Sequence, residues 1–137
     1  MGVKQGDTLS PTLFAVYIND LALHLKDSNI GIEIDDVTLV NVLCYADDIV
    51  LIAKCENDLQ SLINIVSDWC LKWRLEINLA KTNIMHVRHP RKPQTRFSFQ
   101  FDGRLVPFCK QYKYLGLTIN EHLNFQKTLS ILGLIQN

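Results

Sequence analysis

The stretch Val42-Leu43-Cys44-Tyr45-Ala46-Asp47-Asp48-Ile49-Val50-Leu51-Ile52-Ala53 sets two adjacent carboxylates inside a run that is otherwise almost wholly apolar. Two carboxylates about 4 Å apart repel by roughly 4 kcal/mol at a surface-like dielectric. In a dry site, one of them takes up a proton sooner than stay charged. A divalent cation removes the conflict, because its own charge reverses the local pKa logic. Asp47 and Asp48 are therefore read as ligands of a hard metal ion. The run itself reads as a hairpin whose arms are buried on both faces, with Ala46-Asp47-Asp48 as its bend. Asp35-Asp36 provides an internal control, since it sits among polar residues where a turn explains it without further chemistry.

Upstream of this hairpin, Gly2-Val3-Lys4-Gln5-Gly6 reads as a loop, and Ser10-Pro11 opens a helix through a favoured N-cap and a proline at the first helical position. Phe14, Ile18, Leu21 and Leu25 follow at helical spacing, and the helix is expected to end near Lys26. Ile30, Ile32 and Ile34 alternate as in a half-buried strand, and Val37 to Tyr45 forms the next. Downstream, Asn57 with Gln60 suggests a capping box. Leu59, Leu62, Ile63, Val66, Cys70 and Trp73 then mark a helical face. A short strand is expected over Asn83–Val87, followed by a basic loop over His89–Arg96. Phe97, Phe99 and Phe101 alternate before Asp102-Gly103, a hairpin signal. Tyr112–Ile119 reads as a strand and Phe125–Ile135 as a helix.

Composition narrows the class. The 137 residues are 47% hydrophobic, enough for one compact domain with a real core and unlike a disordered tail. Cysteines 44, 55, 70 and 109 lack C-x-x-C or other metal-ligand spacing and read as free thiols of a reducing compartment. No signal peptide is visible, and both aspartates interrupt the apolar run from Val37 to Ala53. At roughly 2.5–3.5 kcal/mol each, they argue against a membrane span. The expected location is intracellular, in the cytoplasm or nucleus. Net charge is zero, but residues 1–70 hold three Lys/Arg against eleven Asp/Glu, whereas residues 71–137 hold eleven against three. An acidic half beside a basic half suits a metal site next to a polyanion surface.

Four segments in order carry a resemblance to reverse transcriptases. Gly2-Val3-Lys4-Gln5-Gly6-Asp7-Thr8-Leu9-Ser10-Pro11 resembles the family's motif B, and Tyr45-Ala46-Asp47-Asp48 its motif C. Trp73-Arg74-Leu75-Glu76-Ile77-Asn78 with Lys81-Thr82 resembles motif D, and Tyr114-Leu115-Gly116 motif E. The wording is most similar to the non-LTR (LINE-like) retrotransposon enzymes, with group II intron reverse transcriptases the nearest competitor. The resemblance implies an α+β fold: part of a polymerase palm, with a ferredoxin-like βαβ core and a catalytic hairpin. Residues 1–120 would form that single partial domain, and 121–137 would begin a thumb or connection helix.

The implied activity is RNA-templated DNA synthesis. A primer 3′-hydroxyl attacks the α-phosphate of a dNTP with two Mg²⁺ ions (Mn²⁺ as a substitute) about 3.5–4 Å apart. By resemblance, Asp47 and Asp48 bind metal, Lys81 donates a proton or stabilises charge at the pyrophosphate, and Gln5 and Gly6 line the nucleotide pocket. Tyr45 sits by the primer end and Tyr114, Leu115 and Gly116 form the primer grip. Arg88, Arg91, Lys92 and Arg96 are candidate contacts to the nucleic-acid backbone. The implied partners are RNA template, DNA primer and dNTPs, and no membrane. The family pattern also includes a motif A aspartate on an earlier palm strand, together with fingers and a full thumb. None of these is matched in the 137 residues. The expectations are an isolated chain without activity and a hydrophobic sheet edge, bared by the missing strand and open to association. The alternative is a non-catalytic nucleic-acid-binding or structural remnant of a retroelement.

Overall fold

The computed structural model describes residues 10–45, 48–114, 117–122 and 130–136. It is an α+β protein: two long helices and small antiparallel sheets. Helix α1 (Ser10–Asp27) starts at the predicted cap and ends one residue past Lys26. Leu21 and Leu25 are fully buried and Ile18 packs against the core, as the stripe requires.

The strands between the helices are shorter than their hydrophobic pattern suggests. Strand β1 (Ile32–Glu33) pairs with β2 (Leu39–Val40), and Ile34 and Val37 stand 68% and 94% exposed, so the alternation stops short of them. Between them Asp35 builds the turn, its carboxylate accepting the N–H groups of Val37 (2.8 Å) and Thr38 (2.6 Å). Asn41 breaks the run expected over Val37–Tyr45. Buried itself, it satisfies its amide by donating to the carbonyls of Leu25 (2.7 Å) and Ile30 (2.8 Å), tying the end of α1 to the sheet.

Beyond it, β3 (Val42–Tyr45) and β4 (Asp48–Ala53) form the central hairpin. Only β4 is buried on both faces. Ile49, Leu51 and Ala53 point to the helices, while Val50 is buried on the other side of the pleat. Leu43 and Cys44 of β3 are exposed, which corrects the expectation that both arms are enclosed.

Helix α2 (Glu56–Trp73) crosses from β4 to β5 (Asn83–Val87), the strand predicted residue for residue. Leu59, Leu62, Ile63, Val66 and Cys70 are buried as expected, with Trp69 beside them. Its start differs from the capping-box reading. Cys55 is the N-cap and makes no side-chain cap, and Gln60 has another partner. The Gln60 amide donates to the Gln100 carbonyl (2.8 Å) and accepts from its N–H (3.0 Å), clamping the helix to strand β6 (Gln100–Phe101). Strands β6 and β7 (Arg104–Leu105) close at Asp102 and Gly103, whose φ angles of 51° and 76° belong to the tight turn that Asp-Gly favours. Phe99 and Phe101 are buried and Phe97 half-buried.

Two further expectations are corrected. Tyr112–Ile119 is not one strand but a hairpin, β8 (Gln111–Tyr114) against β9 (Leu117–Asn120). Phe125–Ile135 is not a helix through its second half, because Ser130–Gln136 forms strand β10. This strand lies between β4 and β5, antiparallel to both, in a sheet ordered β3-β4-β10-β5. The sequence Ser-Ile-Leu-Gly-Leu-Ile-Gln carries β-branched residues and a mid-run glycine that disfavours helix, and ladder pairing on both sides outweighs its remaining helical preference. The same strand pairs both inner edges of β4 and β5, and β3, with Leu43 exposed, stays the outer strand of that sheet. The outer side of β5 is covered. Ile84 donates to Pro107 (2.9 Å) and accepts from Cys109 (2.8 Å). No helix among the described residues is long and apolar enough to cross a membrane.

Candidate active site

The hairpin places Asp48 at one end of the sheet. Tyr45 is the last residue of β3 and pairs in register with Asp48, the first of β4. Asp48 thus begins the strand, half-buried, and only Ala46 and Asp47 separate the paired positions in sequence; these two lie outside the described residues. Behind Asp48 the strand is continuous core, which fixes the direction in which β4 delivers its first residue. Ile49 at 3% and Leu51 at 0% exposure anchor it.

Because β4 and β5 are both antiparallel to β10, they run parallel to each other, and their starts share one end of the sheet. The segment entering β5 is a single 3-10 turn, Leu79–Lys81. Asn78 caps it by accepting the Ala80 N–H (3.1 Å), and its carbonyl accepts the Thr82 hydroxyl (2.9 Å). Thr82 is buried, whereas Lys81 is exposed. Lys81, two residues before β5, is thereby brought to the same end of the sheet as Asp48, two strand spacings or roughly 10 Å across. Beside Asp48 in the ladder stands Gln136, and beside Ile49 stands Ile135.

Among the described residues, no three of His, Cys, Asp and Glu gather closely enough to hold a metal ion. The donor set is instead a half-buried carboxylate at a strand start, with a second one adjacent in sequence. That fits a Mg²⁺ site of the open kind, which takes one or two carboxylates and completes its shell with water and substrate phosphates. It does not fit a closed protein cage.

The remaining predicted residues fall elsewhere. Tyr114 ends β8 and pairs with Leu117 across Leu115 and Gly116, which lie outside the described residues, as do Gln5 and Gly6. Arg91, Lys92 and Arg96 are exposed on the loop after β5. Arg88 is engaged inward. Its guanidinium donates to the Glu121 carboxylate (2.8 Å) and to the carbonyls of His86 (3.1 Å) and Lys92 (3.0 Å). The side chains of Arg88 and Glu121 are both only 10% exposed, and the Arg88 hydrogen bond and charge hold the Glu121 carboxyl below its usual range.

Two clusters escaped the sequence reading. Asp20 of α1 accepts from the indole N–H groups of Trp69 (3.1 Å) and Trp73 (3.3 Å). Burial pushes its carboxyl up, but these bonds and the charges of His24 and Lys72 outweigh it and bring it below the ordinary value. The signal lay in two tryptophans four residues apart on one face of α2. The second cluster is buried His86, whose Nδ1 accepts the Thr95 N–H (2.9 Å) and whose Nε2 has no partner among the described residues. Nothing in the local pattern announces it, since Thr95 reaches it from the far end of a loop.

Comparison with known proteins decides the family. The model for reverse transcriptase (RNA-dependent DNA polymerase) matches residues 1–119. The chain belongs to the reverse transcriptase family. It is 27% identical over 135 residues to the RNA-directed DNA polymerase from mobile element jockey of Drosophila melanogaster, covering 94% of this chain and 14% of that protein. It is 31% identical over 135 residues to the probable RNA-directed DNA polymerase from transposon BS of the same fly, with 90% and 14% covered. It is also 31% identical over 128 residues to the Pol polyprotein from retrotransposable element R2 of Popillia japonica, with 87% and 21% covered. These relatives are polymerases of non-LTR elements, the type that the four motifs resemble. The chain spans between 14% and 21% of their length. No solved structure matches it. Reverse transcriptases act on nucleic-acid templates and work with divalent metal ions.

Proposed function

We propose that this chain is part of the palm of a non-LTR RNA-directed DNA polymerase, and that its β3–β4 hairpin carries two of the catalytic carboxylates. The observation that carries the reading is the pairing of Tyr45 with Asp48 at the end of an otherwise buried hairpin, in a chain of this family. Asp48 is held at the strand start by the core behind it, and Asp47 follows Ala46 in the connection. Together they supply hard oxygen ligands for Mg²⁺, which when bound neutralises phosphate charge and lowers the pKa of the attacking hydroxyl.

The other roles follow from placement and chemistry. Lys81, exposed at the same sheet end as Asp48, gives its proton or its charge to the departing pyrophosphate. Gln5 and Gly6 line the dNTP pocket, where a glycine permits close backbone approach. Tyr45 abuts the primer end, and the β8–β9 hairpin around Tyr114-Leu115-Gly116 grips it. Arg91, Lys92 and Arg96 bind phosphates without reading sequence, so affinity falls with salt. Arg88, spent on Glu121, supports the base of that loop.

The isolated chain is proposed not to polymerise. A two-metal clamp needs more than two neighbouring carboxylates, and the residue beside Asp48 in the ladder is Gln136, an amide. Incubated with an RNA template, DNA primer, dNTPs and Mg²⁺, the 137-residue chain should give no extension while still binding the primer–template in a salt-dependent way. Robust synthesis abolished by Asp47→Asn would overturn the inactivity. A chain that binds no nucleic acid at low salt would remove the support for the basic loop.

A further inference from the structure

A cavity of about 540 Å³ opens between the exposed side of α2 and the segment that leads into the β6–β7 hairpin. That volume is in the range of small-ligand sites. None of its lining residues belongs to the candidate active site. Gln60 sets its width, because its amide holds the Gln100 backbone at both N–H and C=O and so fixes the spacing of β6 from the helix. The Gln60 Nε2 also donates to Asn64 Oδ1 (2.9 Å), one turn further on. With that oxygen engaged, the Asn64 amide keeps its Nδ2 as the donor for a ligand. Asp68 follows after another turn, exposed, with a carboxylate that accepts hydrogen bonds. Phe97 supplies an aromatic surface. Its ring is half-buried, resting on Phe99 at 4.7 Å between centroids, and it lines the cavity as well.

The lining narrows the ligand. Its charged groups are Asp68 and Asp102, and among the described residues no Lys, Arg or His lines the cavity. A phosphate inside it would meet like charge, whereas a flat, neutral group bearing N–H donors meets acceptors. Asn64 and Asp68 stand four positions apart on one helix face, which sets their Cβ atoms roughly 5–6 Å apart. Guanine matches that pair. Its N1–H and its N2 amine donate side by side to a carboxylate, and its O6, at the other end of the same edge, accepts from an amide. Adenine offers an amine with no N–H beside it, so the carboxylate would be half-used. We propose that the cavity is a guanine-binding site that takes an unpaired guanine base of single-stranded RNA. Phe97 stacks on the ring, Asp68 accepts from N1–H and N2, and Asn64 donates to O6. Arg96, exposed and one residue from Phe97, supplies a cation for the phosphate that adjoins the base. RNA as the source rests on the polymerase reading above, whereas the choice of guanine rests on the lining alone.

The test titrates the 137-residue chain with the 5′-monophosphates of guanosine, inosine and adenosine at fixed ionic strength. Binding is followed by the NMR shifts of the Asn64 side-chain amide and the Gly103 backbone amide. All three nucleotides carry the same phosphate, and the inosine form lacks only the N2 amine of guanine. The guanosine form should bind at least fivefold more tightly than either, because a site built to hydrogen-bond a group rejects the analogue without it. Asp68→Asn, at an exposed helix position, should bring the guanosine form down to the level of the adenosine form. A short oligouridylate with one internal guanosine should bind at least tenfold more tightly than the mononucleotide, and that gain should shrink as salt is raised. Equal affinity for the guanosine and adenosine forms, an unshifted Asn64 amide, or a guanine preference that survives Asp68→Asn would each overturn the site. Equal affinity for oligonucleotide and mononucleotide would overturn RNA as the source of the base. A failure of primer extension bears on the polymerase reading and leaves these mononucleotide affinities as they are.

Discussion

At the scale of single residues, the buried groups set the pH response. Burial and the Arg88 charge push the His86 imidazole below its ordinary value of 6.5, against opposing pulls from Glu56 and Glu121. Its Nδ1 already accepts the Thr95 N–H, so a second proton there would have to break that bond. In the unfolded chain this histidine takes its proton at the ordinary value, whereas the folded form resists it. The unfolded state therefore binds more protons below that pH, and stability falls as the solution is acidified through it. Denaturant midpoints at pH 7.5 and 5.5 should show the loss, and His86→Gln, which can still accept from Thr95, should remove most of the difference. An unchanged pH dependence in that variant would contradict the assignment. Arg88→Ala tests the neighbouring pair. With Glu121 left half-satisfied, the expected loss is about 1.5–3 kcal/mol in chemical denaturation. Asp47→Asn, which relieves the repulsion between the two carboxylates, should not lower that stability, which separates the carboxylate's role from folding.

At the scale of elements, the two positive-φ glycines among the described residues differ in what surrounds them. Gly103, at φ 76° in the β6–β7 turn, has nothing near the place a Cβ would occupy, so Gly103→Ala pays only backbone strain, about 1 kcal/mol. Gly31, at φ 155°, would set its Cβ 2.6 Å from the Val40 carbonyl oxygen, a second penalty on top of the strain. Thermal melts should rank Gly31→Ala clearly below Gly103→Ala, and the reverse order would show that the β1–β2 contact is looser than described. The elements that could be read from the sequence are those whose cause is local. The helix face of α2, the strand Asn83–Val87 and the Asp102-Gly103 turn each depend on residues a few positions apart. Where distant partners decide, the reading failed. Gln60, expected to cap α2, holds Gln100 instead, forty residues on, and Asn41 interrupts a strand to satisfy Leu25 and Ile30. Ser130–Gln136 becomes a strand because β4 and β5 wait on either side of it. The candidate site divides along the same line. The β3–β4 hairpin was legible from an apolar run broken by carboxylates, whereas the inward engagement of Arg88 depends on Glu121, thirty-three residues away.

At the scale of the whole molecule, one sheet end gathers Asp48 and Lys81, and the acidic first half of the chain meets the basic second half through the β4–β10–β5 ladder. We propose that this sheet end is part of the catalytic centre of an RNA-directed DNA polymerase once the rest of such an enzyme surrounds it. The most direct measurement is primer extension on an RNA template by a chimera in which residues 1–119 replace the matching stretch of the jockey polymerase. Mg²⁺-dependent synthesis is expected, reduced at least a hundredfold by Asp47→Asn and slowed less by Lys81→Ala. Synthesis by the chimera that survives Asp47→Asn at full rate would contradict it.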